Sequence, residues 1–290
     1  MSADNIYDFL SEDRCYKANM YNTGTIYDLI AGKYSIGVDG HFYLNGGLGP
    51  FITGAHGYGN TFKSTILDSL IAGAMRIITS GRAWTVDTEG SKSKERSASF
   101  NWSLLNSDPD SLAEELEDRM TFKSGADMDI NAMFDDMQAL VNVRIANKKK
   151  LMKPSPFLDL KTGLPALIWD PVFYFIDSFS EAESSEEAKM LKSKEGFEDK
   201  KNKTIWLVDG NKKTLLIRAM RKMAEKAGIC FICVAQTGGN ISMDSYAPVS
   251  KQLPDMKQKD AFKGVGKKFE YLTHLLFQTT LCTNLHDGQK

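Results

Sequence analysis

The chain has little cysteine, almost no net charge and no long apolar run. Its 290 residues hold four cysteines, Cys15, Cys230, Cys233 and Cys282, too few for a disulfide framework and consistent with a reducing compartment. Cys230 and Cys233 form a C-x-x-C, but within the run Ile229-Cys-Phe-Ile-Cys-Val234, which reads as a buried strand whose thiols pack in the core. The longest apolar run, residues 227–235, falls far short of the ~20 residues a membrane span needs. Residues 1–27 are polar and carry no signal-peptide core. These absences point to the cytoplasm, and to no membrane partner. Lysine and arginine number 36 against 37 aspartate and glutamate, a net charge of -1. Taken as a total, that balance argues against a nucleic-acid binder.

What is present is an ordinary globular composition, with 42% hydrophobic and 25% charged residues. At roughly 150 residues per domain, the length fits one large domain or two small ones. No internal repeat is visible. Residues 1–22 form a polar lead-in with a short helical pattern at Ile6, Phe9 and Leu10. From residue 23 onward strands and helices alternate. Residues 51–53 read as a short strand running into a glycine-rich turn, 64–78 as a helix with Ile66, Leu67, Leu70, Ile71 and Met75 on one face, and 83–86 as a strand. Residues 171–176 are a strongly apolar strand ending at Asp177, 212–226 an amphipathic helix, 229–235 a buried strand ending at Gln236, and 269–280 a closing strand. The prolines and glycine at 154, 156, 163 and 165 mark a loop. Residues 178–211 read as a long loop or weak helix, and 237–263 as a long polar loop. This alternation implies an α/β fold, a mostly parallel central sheet with helices on both faces.

Charge is segregated along the chain. Residues 108–140 carry ten acidic and two basic side chains, a local net of -8, and 141–153 reverse this to +5. Solvated helix faces are the plain reading of both stretches. Outside residues 108–140 the chain carries +7. Near-neutrality therefore does not exclude DNA binding, and the acidic segment is expected to lie away from any DNA path.

The sharpest local signal is Gly54-Ala-His-Gly57-Tyr58-Gly59-Asn60-Thr61-Phe62-Lys63-Ser64-Thr65. It follows a strand and opens a helix, the context required of a phosphate-binding loop. Backbone N–H groups from Gly57 to Thr65 suit the β- and γ-phosphates of ATP, Lys63 adds a positive charge, and the Ser64 hydroxyl suits Mg²⁺. Phe62 stands where such loops usually carry glycine. The plain alternative is a glycine-rich turn before a core helix. Asp177, at the end of a buried strand, is placed to hold the Mg²⁺ shell through water. Glu89, just beyond the strand at 83–86, stands where a general base for water would stand. Gln236 heads a long loop, where a polar side chain can touch the γ-phosphate; capping of the strand is the alternative.

In this order, the features resemble the RecA recombinase ATPase core over residues 23 to about 280, and its phage UvsX-type members most of all. Phe62-Lys63-Ser64 resembles the phage-type loop, which also has phenylalanine before the lysine. Val86-Asp-Thr-Glu89 resembles the strand end bearing the family's catalytic glutamate, and Phe175-Ile-Asp177-Ser178 its Walker B strand. Ala219-Met-Arg-Lys-Met-Ala224 resembles the helix before the fourth core strand, Val234-Ala-Gln236 the nucleotide-sensing glutamine, and Gly264-Val-Gly-Lys267-Lys268-Phe269 the glycine-lysine stretch after the second DNA-binding loop.

The resemblance implies an ATP- and Mg²⁺-dependent, DNA-stimulated ATPase that binds single-stranded DNA as an oligomer, filament or ring, and engages duplex DNA during strand exchange. Residues 178–211 would hold the first DNA-binding loop and 237–263 the second. Lys267 and Lys268 would reach the ATP of a neighbouring subunit and stabilise charge on the transferring phosphoryl group. Residues 237–268 carry a net +3 together with Tyr246 and Phe262, a composition that suits phosphates and base stacking, although a solvated surface loop has the same look. The location implied is cytoplasmic, the host's if the chain is phage-encoded. Three departures stand out. The distance from Glu89 to Asp177 suggests a charged insertion around residues 108–153. Residues 1–22 lack the bacterial arm and are a candidate oligomerisation segment. The chain stops soon after the core. Two other readings compete: a hexameric replicative helicase built on the same core, and a non-catalytic DNA-binding paralogue that keeps the fold.

Overall fold

The computed structural model describes residues 21–90 apart from 22, 24, 32, 37 and 38, then 92, 118–125, 128–159, 161–185, 205–239, 260–263, 265 and 268–279. A short helix α1 (Ile26–Ala31) precedes an antiparallel pair, β1 (Lys33–Ile36) and β2 (Phe42–Asn45). Then come β3 (Ile52–Gly57), α2 (Lys63–Ile77), β4 (Arg82–Asp87), β5 (Met120–Ser124), α3 (Ile130–Ala146) and the single turn α4 (Lys148–Leu151). A second antiparallel pair, β6 (Met152–Leu158) and β7 (Pro165–Trp169), leads to β8 (Val172–Asp177), α5 (Ile205–Ala227) and β9 (Ile229–Gly239). The described chain ends with β10 (Asp260–Lys263), α6 (Lys268–Leu272) and β11 (Leu275–Thr279).

Six strands form a parallel sheet in the order β11-β3-β9-β8-β4-β5, and β10 adds to β9 antiparallel. This is the expected α/β architecture, a mostly parallel central sheet between helices. Because all six run the same way, their C-terminal ends share one edge. Register aligns them closely there: Gly57 pairs with Gln236, and Asp87 with Asp177. Ligands of open parallel sheets bind along that edge.

Side-chain alternation along the central strands explains why both faces are covered. On β8, Val172, Tyr174 and Ile176 face one way, into a cluster with Met133, Met137 and Val141 of α3 and Ile217 and Met220 of α5. Phe173 and Phe175 face the other way, against Leu67, Leu70, Ile71 and Met75 of α2. A strand buried on both sides reads as one continuous apolar run. The same alternation sends Cys230 and Cys233 to opposite faces. Both are buried free thiols, pushed up in pKa by that burial. A shared metal or disulfide is therefore geometrically closed to this C-x-x-C, and core packing is its role.

Several elements differ from the pattern read along the sequence. The helix expected at 212–226 begins at Ile205, because Asp209 and Lys213, one turn apart, are buried as an ion pair at 2.9 Å instead of facing solvent. The closing strand at 269–280 is a helix followed by a strand: Phe269 is buried while Tyr271 is exposed, and Thr273 caps the turn by donating to the Phe269 carbonyl at 2.6 Å. The proline-marked loop is the β6–β7 hairpin, with Gly163 at positive φ in its turn. The acidic stretch supplies β5 to the sheet edge, and α3 buries one side against α5. Its described residues are therefore part of the folded core. Among the described residues no helix is long and apolar enough to cross a membrane.

Candidate functional site

The strand β3 delivers the chain to the sheet edge at Gly57, and α2 leaves from Lys63. The five residues between, Tyr58 to Phe62, form the loop. Gly57 is required sterically: a Cβ there would lie 2.4 Å from both the carbonyl and the hydroxyl oxygen of Thr279, on the neighbouring β11. Gly59 has open space around its Cα. Two non-glycine residues adopt left-handed backbone conformations, Asn60 at φ 58° and Phe62 at φ 60°. Phe62 caps the N-terminus of α2 in that conformation with its ring largely exposed. The position glycine usually holds thus keeps the glycine-like backbone.

The side chains within the loop are mutually braced. The Thr61 hydroxyl donates to the Tyr58 carbonyl at 2.8 Å and lies 2.7 Å from the Thr279 hydroxyl. The Lys63 ammonium donates to the same Tyr58 carbonyl at 2.5 Å. Lys63 is buried, and this holds its pKa below the usual lysine value, against the opposing pull of Glu89 and Asp177. A lysine desolvated in this way is a ready partner for an anion.

The C-terminal ends of β3, β8, β4 and β9 bring the remaining groups together. Ser64, in the first turn of α2, donates its hydroxyl to Asp177 Oδ1 at 2.9 Å. Burial pushes the Asp177 carboxyl above the usual carboxylate range, opposed by Lys92 and the Ser64 hydroxyl and reinforced by Glu89. The peptide bond after Asp177 is cis. The Thr88 amide donates to the Asp177 carbonyl at 2.8 Å, and the Thr88 hydroxyl to that of Ser178 at 2.6 Å. Glu89 stands exposed on the turn after β4, and its Oε1 accepts from the Gln236 side-chain amide at 2.9 Å. Gln236 is held in turn by its backbone amide, which donates to the Ser180 hydroxyl at 2.8 Å.

These groups surround a cleft of about 350 Å³ lined by Gly59 through Thr65 together with Asp68, Glu89, Lys92, Val234 and Gln236. The loop residues, Lys63, Ser64, Glu89 and Gln236 are thus brought to one cleft. Gly57 ends the strand feeding the loop, Tyr58 contributes its carbonyl, and Asp177 lies at the floor through Ser64. Gln236 does not end its strand: β9 continues to Gly239 and pairs with β10. Lys268 opens α6 with its side chain exposed, and Lys267 lies outside the described residues.

The donor set suits a hard cation. Ser64 and Asp177 offer one hydroxyl and one carboxylate, and Mg²⁺ is typically held by one or two protein oxygens plus substrate phosphates. Among the described residues there is no cluster of three or more His, Cys, Asp or Glu side chains able to hold a metal by themselves. An ion here would therefore share its shell with the substrate.

Two features of the site escape sequence reading. His56, on β3, is buried with Nδ1 3.0 Å from the Thr237 hydroxyl and its ring edge-on to Phe262 of β10. Burial, with Lys63 nearby, lowers its pKa to about 4, so it is neutral at physiological pH. Lys92 enters the cleft from beyond Glu89 to meet Asp68 and Asp177. No periodicity or spacing flags either residue, because each is defined by partners that only the sheet order makes neighbours.

No family model and no curated protein matches this chain. Among solved structures, one match is the "ATPase Domain of G40P", with a TM-score of 0.44 and 10% sequence identity, covering 83% of this chain and 72% of that one. So distant a likeness bears on neither activity nor partner, and the α/β core rests on the strand order and register of the chain itself.

Proposed function

We propose that this chain is an ATP-hydrolysing, Mg²⁺-dependent DNA recombinase of the RecA type, akin to the phage UvsX group, that assembles on single-stranded DNA and promotes homologous pairing and strand exchange. The observation that carries the ATPase reading is the 2.9 Å hydrogen bond from Ser64 to Asp177 across 113 residues of sequence. It joins the phosphate-loop helix to the acidic end of the most apolar strand, beside Lys63 and Glu89.

In this reading the amides of Gly59–Thr65 and the α2 N-terminus bind the phosphates, and Lys63 places its ammonium against them. Ser64 and Asp177 hold the ion, which when bound supplies neutralisation of phosphate charge. Glu89 accepts a proton from water at the oxygen that Gln236 leaves free. The water oxygen bonds to the γ-phosphorus as the bond to the bridging oxygen breaks, and ADP departs with that electron pair. Gln236 touches Glu89 and lies on β9 three residues before that strand ends, so it is placed to relay nucleotide state. Lys267 and Lys268 act on the ATP of a neighbouring copy.

DNA binding is supported by placement and charge. Within the stretches 178–211 and 237–263, the connections from β8 to α5 and from β9 to β10 depart at the same sheet edge as the cleft. The stretch from 237 to 268 carries net +3. Of these segments, residues 186–204 and 240–259 lie outside the described residues.

The replicative-helicase reading uses the same cleft residues in the same roles. Phosphate release measured with and without single-stranded DNA, followed by electron microscopy of the ATP-bound assembly, tests both. Stimulated release with continuous helical filaments supports the recombinase. Closed six-membered rings support the helicase instead. Turnover that ignores DNA contradicts either reading.

A further inference from the structure

We propose that Lys92 is a positioning residue of the hydrolytic site, fastening the turn that bears Glu89 onto the helix and strand that form the cleft floor. The inference rests on the ATPase reading of the same cleft.

The turn is short and anchored at both ends. Asp87, the last residue of β4, uses one carboxylate to accept from the Glu89 amide at 3.2 Å and the Lys92 amide at 2.7 Å. These two bonds draw Glu89 and Lys92 back to the strand end. The Lys92 side chain then runs inward and is 3% exposed. Its ammonium lies 2.9 Å from both oxygens of Asp68, on α2 one turn beyond Ser64, and 3.3 Å from Asp177 Oδ2. It also sits 3.5 Å from the centroid of the Phe175 ring on β8. One cation therefore ties three elements together: the Glu89 turn, the phosphate-loop helix and the Asp177 strand.

Glu89 needs such support. Its carboxylate is exposed, and among the described residues the Gln236 amide is its side-chain partner. A base that must meet water in line with a phosphoryl group is sensitive to displacement, and a shift of ~1 Å can cost about 10²-fold in rate. Lys92 also pairs at 3.3 Å with Asp177 Oδ2, while Oδ1 accepts from Ser64. Fold stability alone does not explain an ion pair here, because apolar replacement of both partners of a buried pair is often neutral or stabilising.

The test compares Lys92→Met, Lys92→Arg and the double variant Asp68→Leu/Lys92→Met with the wild-type chain. Three readouts are taken on each: kcat and KM for ATP, affinity for fluorescent ADP with Mg²⁺, and Tm. Lys92→Met is expected to lower kcat by about 10²-fold, with KM and ADP affinity changed less than about threefold. Lys92→Arg is expected to recover part of the lost kcat. The double variant, which removes Asp68 together with its cation but leaves Asp177 bonded to Ser64 alone, is expected to recover part of the Tm lost in Lys92→Met while kcat stays low. Wild-type kcat in Lys92→Met, with Lys63→Ala inactive, overturns the proposal and leaves the ATPase reading intact. Recovery of kcat along with Tm in the double variant shows a purely structural role and overturns it too. A wild-type chain that hydrolyses no ATP removes the ATPase reading and this proposal together.

Discussion

The side-chain amide of Gln236 donates to Glu89 Oε1 at 2.9 Å, joining β9 to the turn after β4 across the intervening β8. In the proposed mechanism this bond sets the base against a residue three positions before the end of β9. Glu89→Gln is expected to keep nucleotide binding, since the phosphates are held by the loop and Lys63. Its ATP hydrolysis should fall by about 10²–10⁴-fold, the range of general-base contributions. Phosphate release and fluorescent-nucleotide titration on one preparation separate the two effects.

Gly57 and Gly59 look alike in the sequence but differ in their surroundings. A methyl at 57 meets Thr279 oxygens at 2.4 Å, while at 59 it meets open space. Gly57→Ala is therefore expected to destabilise by about 1–3 kcal/mol, the usual cost of overpacking, and to weaken nucleotide binding. Gly59→Ala should leave Tm within a degree or two. Thermal unfolding with and without ADP is the check.

Phe62 holds φ at 60° with its side chain 71% exposed. Left-handed backbone costs a residue with a Cβ about 1–2 kcal/mol, part of which glycine gives back in chain entropy. Phe62→Gly should therefore be neutral or stabilising by up to about 1 kcal/mol. Phe62→Val should be destabilising, because a β-branched side chain tolerates this conformation worst. Chemical denaturation of both variants measures the difference.

His56 supplies a pH signature. Its pKa in the folded chain is about 4 against an ordinary 6.5, so the unfolded chain takes up the proton first. The neutral ring's contribution is fully present above pH 6.5 and is lost as pH falls from 6.5 to 4. At its steepest the loss is about 1.4 kcal/mol per pH unit. His56→Asn should flatten the fall in unfolding free energy over that window. Identical pH dependence in the two chains would show that His56 is not the titrating group.

Much of this arrangement was legible in the sequence, for identifiable reasons. The glycine loop, Lys63 and Ser64 are contiguous, so their chemistry shows in one window. Asp177 ends both an apolar run and its strand, while Gln236 ends an apolar run only, because β9 continues to Gly239 by pairing with β10. Contacts between distant segments left no such trace. Lys92 carries no sequence signal, because Asp68 lies 24 residues away and becomes its neighbour only in the fold. The start of α5 was hidden because its buried pair, Asp209 and Lys213, has the composition of a solvated surface. The α6–β11 junction was hidden because Phe269, Leu272, Leu275 and Leu276 fit a strand run as readily as a helix followed by a strand.

The most direct test is steady-state phosphate release from ATP with Mg²⁺ and single-stranded DNA, wild type against Lys63→Ala. The wild-type chain is expected to turn over ATP faster with DNA than without it, and Lys63→Ala to show no turnover above background while keeping its Tm. Equal rates in the two chains would contradict the assignment of this cleft as the hydrolytic site.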